Sequence, residues 1–320
     1  MTLRNIKVPT IKDRSLLMAH LGAFLAVVAW GISFVNTRIL LDNGLHPVEI
    51  YIYRFSIAYV LLLLFCHSRF RSNSWRDELL FVCCGLLAGS VYFIAENVAL
   101  EYTLTTNVSL ITTTSPLLTM LLIGAFYKSE RPSRGMLLGS CIAFLGVGCV
   151  IFNSSFVVKV NPIGDLLSLG AALSFAIYSM ILRRLNTYYT VTFISRKTFF
   201  YGVLTALPFL LVDNDLTPMS TLMRPAVIFN VLFLSIFASL IGFVVWANIV
   251  KRIGAVKASN WLYIQPIITL IASAVILNES VTIVGLIGCT MILGGVWLSD
   301  FLGKKKTGRS RQSDRSESQA

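Results

Sequence analysis

Apolar runs of about 20 residues recur along the chain with short polar connections between them, each run long enough to cross a bilayer at about 1.5 Å per residue. They predict ten helices, over 16–35, 48–66, 79–100, 104–127, 134–152, 164–182, 192–212, 225–249, 258–277 and 281–302. None of the connections is long enough to hold a soluble domain. The first run follows a basic polar segment (Arg4, Lys7, Lys12, Arg14) and has full span length, so it is expected to stay in the mature protein and not to be cleaved as a signal.

Composition removes the soluble alternatives. Of 320 residues 56% are hydrophobic and 13% charged, with a mean hydropathy of +0.76, whereas a soluble domain carries about 25% charge. Lys and Arg fall on alternate connections. Twenty-one lie in the N-terminal tail, in the connections after spans two, four, six and eight, and in the C-terminal tail; only Arg38, Lys159 and Arg224 lie on the other side. That bias predicts an inner-membrane protein with both termini in the cytoplasm. It also absorbs the net charge of +12, which is spread over the connections instead of gathered with aromatics as in a nucleic-acid face. The Ser-rich tail carrying Lys304, Lys305, Lys306, Arg309, Arg311 and Arg315 reads as a disordered orientation signal in contact with anionic lipid. Cys66, Cys83, Cys84, Cys141, Cys149 and Cys289 all fall inside spans and read as small packing residues, not a disulfide framework.

The end of each half repeats one pattern. Pro116, Glu130, Gly139 and Gly146 are separated by 14, 9 and 7 residues, and Pro266, Glu279, Gly288 and Gly295 by 13, 9 and 7. The fold class that follows is an all-α integral membrane protein of ten transmembrane helices in two five-helix repeats. The expected units are a cytoplasmic tail over 1–15, repeats over 16–155 and 156–302, and the basic tail over 303–320. Because five is odd, the second repeat enters from the opposite side, giving an inverted pair of the kind that alternating-access carriers use. Glu130 and Glu279 precede spans, where a carboxylate complements a helix start. Gly85/Gly89 and Gly135/Gly139 have the small-xxx-small spacing of closely packed helices.

Trp30-Gly31, Arg54, the run from Asn107 through Pro116 to Glu130, Gly164-Asp165-Leu166-Leu167, and Ala258-Ser259 through Pro266 to Glu279 together resemble the drug/metabolite transporter superfamily in its EamA-type branch. The likeness covers nearly the whole chain outside the tails. It implies a secondary carrier, commonly an exporter of amino acids or other metabolites, with a cavity between the halves. A basic residue in the second span suits that pattern; Glu96-Asn97 departs from the apolar or small residues usual there and marks a subgroup substrate.

Charges inside the hydrocarbon are costly and usually face the bundle interior. Glu96 continues a helical stripe of Gly85, Gly89 and Tyr92, which is expected to line a crevice, while Arg54 sits about two turns into its span and Lys197 at a comparable place in the second half. Glu96 could bind a substrate ammonium, or take up a proton in one conformation and release it in another; Arg54 could meet a carboxylate or phosphate; and the two could instead form a structural ion pair. Asn97, Asn107 and Thr114 are supporting polar candidates beside Thr112, Thr113 and Ser115. Pro116 and Pro266 are candidate helix breaks or gates. Trp30, Trp246, Trp261, Tyr263 and Gln265 are weaker candidates. With only His20, His46 and His67, none at metal-ligand spacing, no nucleophile beside a base and no phosphate loop, neither an enzyme nor an ATP-driven pump is indicated, and no metal or cofactor. The partners implied are a small-molecule substrate and membrane lipid, with no nucleic acid; proton coupling and a homodimer stay open, as do exchange or import of a phosphorylated or nucleotide-linked metabolite and a channel. The topology is checked by reporter fusions: those after spans two, four, six and eight should read cytoplasmic, and a periplasmic signal from two of them overturns the inverted ten-span arrangement.

Overall fold

A computed structural model describes residues 11–65, 70–103, 105–127, 131–153, 162–210, 216–278 and, between 283 and 302, all but 284, 285, 289, 296 and 300. Glu130, Glu279, Cys66, Cys289, the basic residues Arg69, Lys128 and Lys159, and the tail segments 1–10 and 303–320 lie outside them. The described residues contain helices and no strand. Lipid offers backbone groups no partner, so an apolar chain of this length satisfies them within helices.

Among the described residues helices stand at the first nine predicted places, α1 (Ile11–Asp42), α2 (Pro47–Phe65), α3 (Trp75–Tyr102), α4 (Thr105–Phe126), α5 (Arg134–Asn153), α6 (Pro162–Leu185), α7 (Val191–Leu210), α8 (Pro225–Ile253) and α9 (Ala255–Ser259, Asn260–Ile264 and Gln265–Ile276), and described helical stretches between 286 and 299, together α10, stand at the last. Among the described residues six of them, α1, α2, α3, α4, α6 and α8, are long and apolar enough to cross a membrane. Local chemistry sets the ends. Ser74 caps α3 by accepting from the Asp77 N–H at 3.2 Å, with Asp77 and Glu78 in the first turn. Gly44 and Gly254 take φ of +88° and +85° where α1 and α8 turn into their successors. The first helix runs past the expected end at 35 because its polar last turns are satisfied: Arg38 donates to the Leu100 carbonyl at 2.9 Å and pairs with Asp42 at 3.0 Å.

Four helices are not regular. Helices α3 and α8, the third of each half, contain π segments at Leu86–Ser90 and Leu234–Ile241. The fourth of each half is broken before its proline, α4 by a turn at Thr113 and Thr114 ahead of Pro116, and α9 by the 3₁₀ segment Asn260–Ile264 ahead of Pro266. The two proline positions read from sequence are thus real breaks, and they fall in matching places of the repeat.

The halves interlock under a pseudo-two-fold relation. The first helix of each packs on the third and fourth of the other (α1 on α8 and α9; α6 on α3 and α4), the second on the third (α2 on α8; α7 on α3), and α2 meets α7 as α4 meets α9. Helices α2 and α7 run antiparallel, the start of one meeting the segment beyond the end of the other. Near the start of α2, Glu49 accepts from the N–H and hydroxyl of Thr217, just beyond α7; near the start of α7, the Tyr189 hydroxyl accepts from the Asn73 N–H and donates to Asp77, both at 2.7 Å. These two polar clasps sit at opposite faces of the bundle.

Glycines permit the closest approaches. Along α5 and α10 a Cβ on Gly139 would lie 2.5 Å from the Ser299 nitrogen and 2.6 Å from the Gly295 carbonyl, and one on Gly146 would lie 2.7 Å from the Gly288 carbonyl. The repeated glycines of the sequence are therefore the seam between the two fifth helices. Because the obstructing atoms are backbone, Gly139→Val should destabilise the fold by about 1–3 kcal/mol, read as a lowered melting temperature of the detergent-solubilised protein, with Gly170→Val, which has open space around it, as the control.

Candidate functional site

The π segments and helix breaks converge on the bundle centre. The π segment of α8 releases a backbone carbonyl from the regular ladder, and a side chain from another helix takes it up. The Trp30 indole N–H donates to the freed Ala238 carbonyl at 2.7 Å, and Arg54 Nε donates to the hydroxyl of the next residue, Ser239. The π segment of α8 thereby holds both Trp30 and Arg54 in place. The carbonyl of Gly31 receives the Thr269 hydroxyl at 2.9 Å, beyond the break in α9.

Around this point lies a cavity with an empty volume of about 420 Å³, its open mouth included. Arg54 and Glu96 are its charged members, each 2% exposed. Trp30, Phe34, Tyr92, Phe93, Phe175 and Phe243 form aromatic walls, and Ser33, Thr112, Ser115 and Gln265 supply neutral polar groups. Ser115 and Gln265 are the residues immediately before Pro116 and Pro266, so both broken helices present the same position to the cavity. A few convergent polar groups on apolar walls are the character of a small-molecule site.

The Arg54 guanidinium carbon lies 4.3 Å from the Phe93 ring centre and 5.4 Å from that of Phe55, a cation–π setting, and one of its terminal nitrogens has no hydrogen-bond partner. Glu96 hydrogen-bonds Tyr92 one turn before it. Among the described residues no ion pair within 4.0 Å joins Arg54 to Glu96; the two charges border one space without contact, which a direct structural pair would not leave.

The structure brings Arg54, Glu96 and Tyr92 together and sends the other sequence candidates elsewhere. Asn97 is buried and donates to the Pro47 carbonyl at 2.9 Å, fixing the start of α2; Asn107 donates to the Thr103 hydroxyl at 3.2 Å; Thr114 is buried in the α4 break beside the cavity-lining Thr112 and Ser115. Lys197 pairs with Glu78 at 2.5 Å, outside the cavity. The expected stripe on α3 divides: Tyr92 and Glu96 face the cavity, while Gly85 and Gly89 pack on Gly202 and the Tyr51 hydroxyl. The π turn between them, with Gly89 at φ −109° and ψ −105°, breaks the helical period that joined them. Trp30 and Gln265, weak candidates by sequence, line the cavity; Trp246 packs 5.2 Å from Trp30, and Trp261 lies 5.6 Å from His20. Ser239 carries no signal in the sequence, being one small polar residue in an apolar helix.

The EamA-like transporter family matches residues 17–152 and again residues 162–299. Among curated proteins the chain is 25% identical to a protein named uncharacterized transporter from Archaeoglobus fulgidus, over 88% of this chain and 96% of that one. It is 22% identical to the probable amino-acid metabolite efflux pump of Escherichia coli strain K12, over 87% and 93%, and 24% identical to the protein of that name from Salmonella typhimurium, over 87% and 93%. A solved crystal structure shares the fold with a TM-score of 0.70 at 20% identity, covering 89% of this chain and 98% of that one.

The geometry predicts that Glu96 serves the cavity more than the fold. Glu96→Gln keeps shape and hydrogen-bonding capacity and should accumulate like the wild type while losing transport by ~10-fold or more, the weight of one charge-assisted hydrogen bond, or losing its pH dependence. A lowered protein level in Glu96→Gln, restored with activity by Arg54→Gln in the double variant, would show a structural pair instead.

Proposed function

The chain belongs to the EamA-like transporter family, and from that premise we propose that it is a secondary exporter of an amino acid or related zwitterionic metabolite, working by alternating access. It is a multi-pass membrane protein; its place in the inner membrane with both termini cytoplasmic, and its division into repeats over 16–155 and 156–302, belong to the proposal. The observation that carries the reading is the placement of Arg54 and Glu96 on one aromatic-walled cavity without contact between them. A guanidinium offers two N–H donors to a carboxylate and a carboxylate accepts from an ammonium, so one zwitterion can satisfy both at once. A phosphorylated or nucleotide-linked metabolite would suit Arg54 but would set its own negative charge against Glu96. The efflux-pump relatives, which carry amino-acid metabolites in their names, support the same class.

In this mechanism the two clasps act in turn. Release of Glu49 from Thr217 would open one mouth, and release of the Tyr189 and Lys197 contacts with Asn73, Asp77 and Glu78 the other. The pseudo-two-fold relation lets each half adopt the other's conformation, and the π segments and proline breaks are where the helices can bend without exposing backbone to lipid. The substrate itself compensates the buried charges while both mouths are shut.

No nucleotide is needed for such a cycle. Purified protein in liposomes loaded with a mixture of amino acids should release part of the mixture down a substrate or proton gradient without ATP, identified by mass spectrometry of the outer medium. Release that strictly requires ATP, or that grows without saturation as the load increases, would refute the carrier reading.

A further inference from the structure

Most hydrogen-bond donors on the lining of the central cavity are taken up by the protein itself. The Trp30 indole N–H is held by the Ala238 carbonyl, the Ser33 hydroxyl donates to the Trp30 carbonyl at 2.7 Å, and the Thr112 hydroxyl donates to the Val108 carbonyl at 2.8 Å. The Ser115 hydroxyl donates to the Thr112 carbonyl, and Tyr92 is bonded to Glu96. A hydroxyl that bonds a carbonyl of its own helix has no proton left for a ligand. Gln265 differs from all of these. Its side chain lies on the lining, 6% exposed, and its amide makes no hydrogen bond to another described residue. The backbone beneath it is pinned: a Cβ on Gly31 would lie 3.0 Å from the Gln265 carbonyl oxygen, and the Thr269 hydroxyl reaches that oxygen at 3.1 Å. The position is held and the amide is left over, two N–H donors and one acceptor with nothing to meet. An unpaired buried amide is costly, and an apolar side chain would fill the same place in the fold without that cost.

We propose that Gln265 recognises the side chain of the substrate, and that the carried zwitterion bears a neutral side chain able both to donate and to accept a hydrogen bond, a hydroxyl or a carboxamide. The inference rests on the zwitterion reading and deepens it. Arg54 and Glu96, on α2 and α3 of the first half, take the two charged ends; Gln265, on α9, is the polar group that the second half adds to the lining, beside Phe175, Phe243 and Leu262. The third contact therefore comes from a different helix and the other half. Charge excludes an ionised side chain, because the cavity's one cation and one anion are already matched by the substrate's ends and a third charge would be buried beside a neutral amide. An apolar side chain would be accepted by the rings but would leave the amide unpaired, and a site that hydrogen-bonds a substrate group discriminates against the analogue lacking it.

The test is release from liposomes that hold the purified full chain and an equimolar amino-acid mixture, compared within two pairs matched in shape, threonine with valine and asparagine with leucine. The wild type should release the polar member of each pair over the apolar one by about 10-fold, the weight of one buried amide left unpaired. Gln265→Met, which keeps the length without the amide, should bring both ratios close to parity while release of valine and leucine continues, and Gln265→Asn should keep part of the preference. Parity in the wild type, release confined to apolar or charged amino acids, or undiminished ratios in Gln265→Met would each overturn the inference and leave the zwitterion reading standing. Absence of any amino-acid release from the mixture removes both. Loss of release in Gln265→Met and Gln265→Asn alike, with a lowered melting temperature in both, would assign Gln265 to the fold of the α9 break and also overturn the inference.

Discussion

Every backbone N–H and carbonyl within the hydrocarbon needs a protein partner, and the centre of this molecule is arranged around the places where the helices themselves cannot provide one. In α8 the π segment Leu234–Ile241 frees the Ala238 carbonyl, and Trp30 from the other half supplies the missing donor. The neighbouring Ser239 then anchors Arg54. A guanidinium in an apolar bundle without such an anchor would be free to turn toward any stray carbonyl. With it, and with Phe93 beneath, the guanidinium is held at the wall of the cavity. Backbone accounting therefore determines where the charged site lies, and the site determines what the bundle can hold.

The two halves share a fold but not a chemistry. In the register set by Pro116 and Pro266, Glu96 falls opposite Trp246 and Phe93 opposite Phe243; Arg54 and Arg196 each lie in the first turns of the second helix of their half, α2 and α7. Both arginines are 2% exposed and both lie against phenylalanine, yet Arg54 borders the central cavity and Arg196 a separate outer hollow. The first half thus supplies the charges of the cavity, and the second half supplies Phe175, Phe243, Leu262 and Gln265. A perfectly symmetric pair would present the same groups to both faces. This one presents a charged lining built from α2 and α3 and a largely apolar one built from α8 and α9.

Span positions, the repeat and its glycine seam were legible in the sequence because each depends on bulk hydrophobicity or on the size of single residues. Pro116 and Pro266 were legible because proline lacks the N–H that a continuous helix requires. The π segments were not: Leu234–Ile241 contains neither glycine nor proline, and its irregularity comes from tertiary contacts with Trp30 and Arg54 that no local pattern encodes. The stripe on α3 failed at Gly89 for that reason, since a 3.6-residue period was carried across a turn that does not keep it. Asn97 and Asn107 were polar for local purposes, bonding the Pro47 carbonyl and the Thr103 hydroxyl. Lys197 found an acid, Glu78, more than a hundred residues away in sequence, a pairing visible only once α3 and α7 lie side by side.

Charge balance carries the synthesis one step further. On the proposed reading the empty cavity holds one cation, Arg54, and one anion, Glu96, and is neutral; a bound zwitterion leaves it neutral. Neither the empty nor the loaded reorientation then moves net charge across the membrane field, which weighs about 2.3 kcal/mol per charge per 100 mV. The membrane potential cannot drive such a cycle, and net export must follow the substrate's own gradient. A proton taken up by Glu96 changes this, because the empty carrier then returns with a net positive charge and the loaded one, with its carboxylate engaged by the substrate ammonium, does not. Export would then be coupled to proton entry through the competition of proton and ammonium for one carboxylate, and the absence of an Arg54–Glu96 ion pair is what leaves that carboxylate available to both.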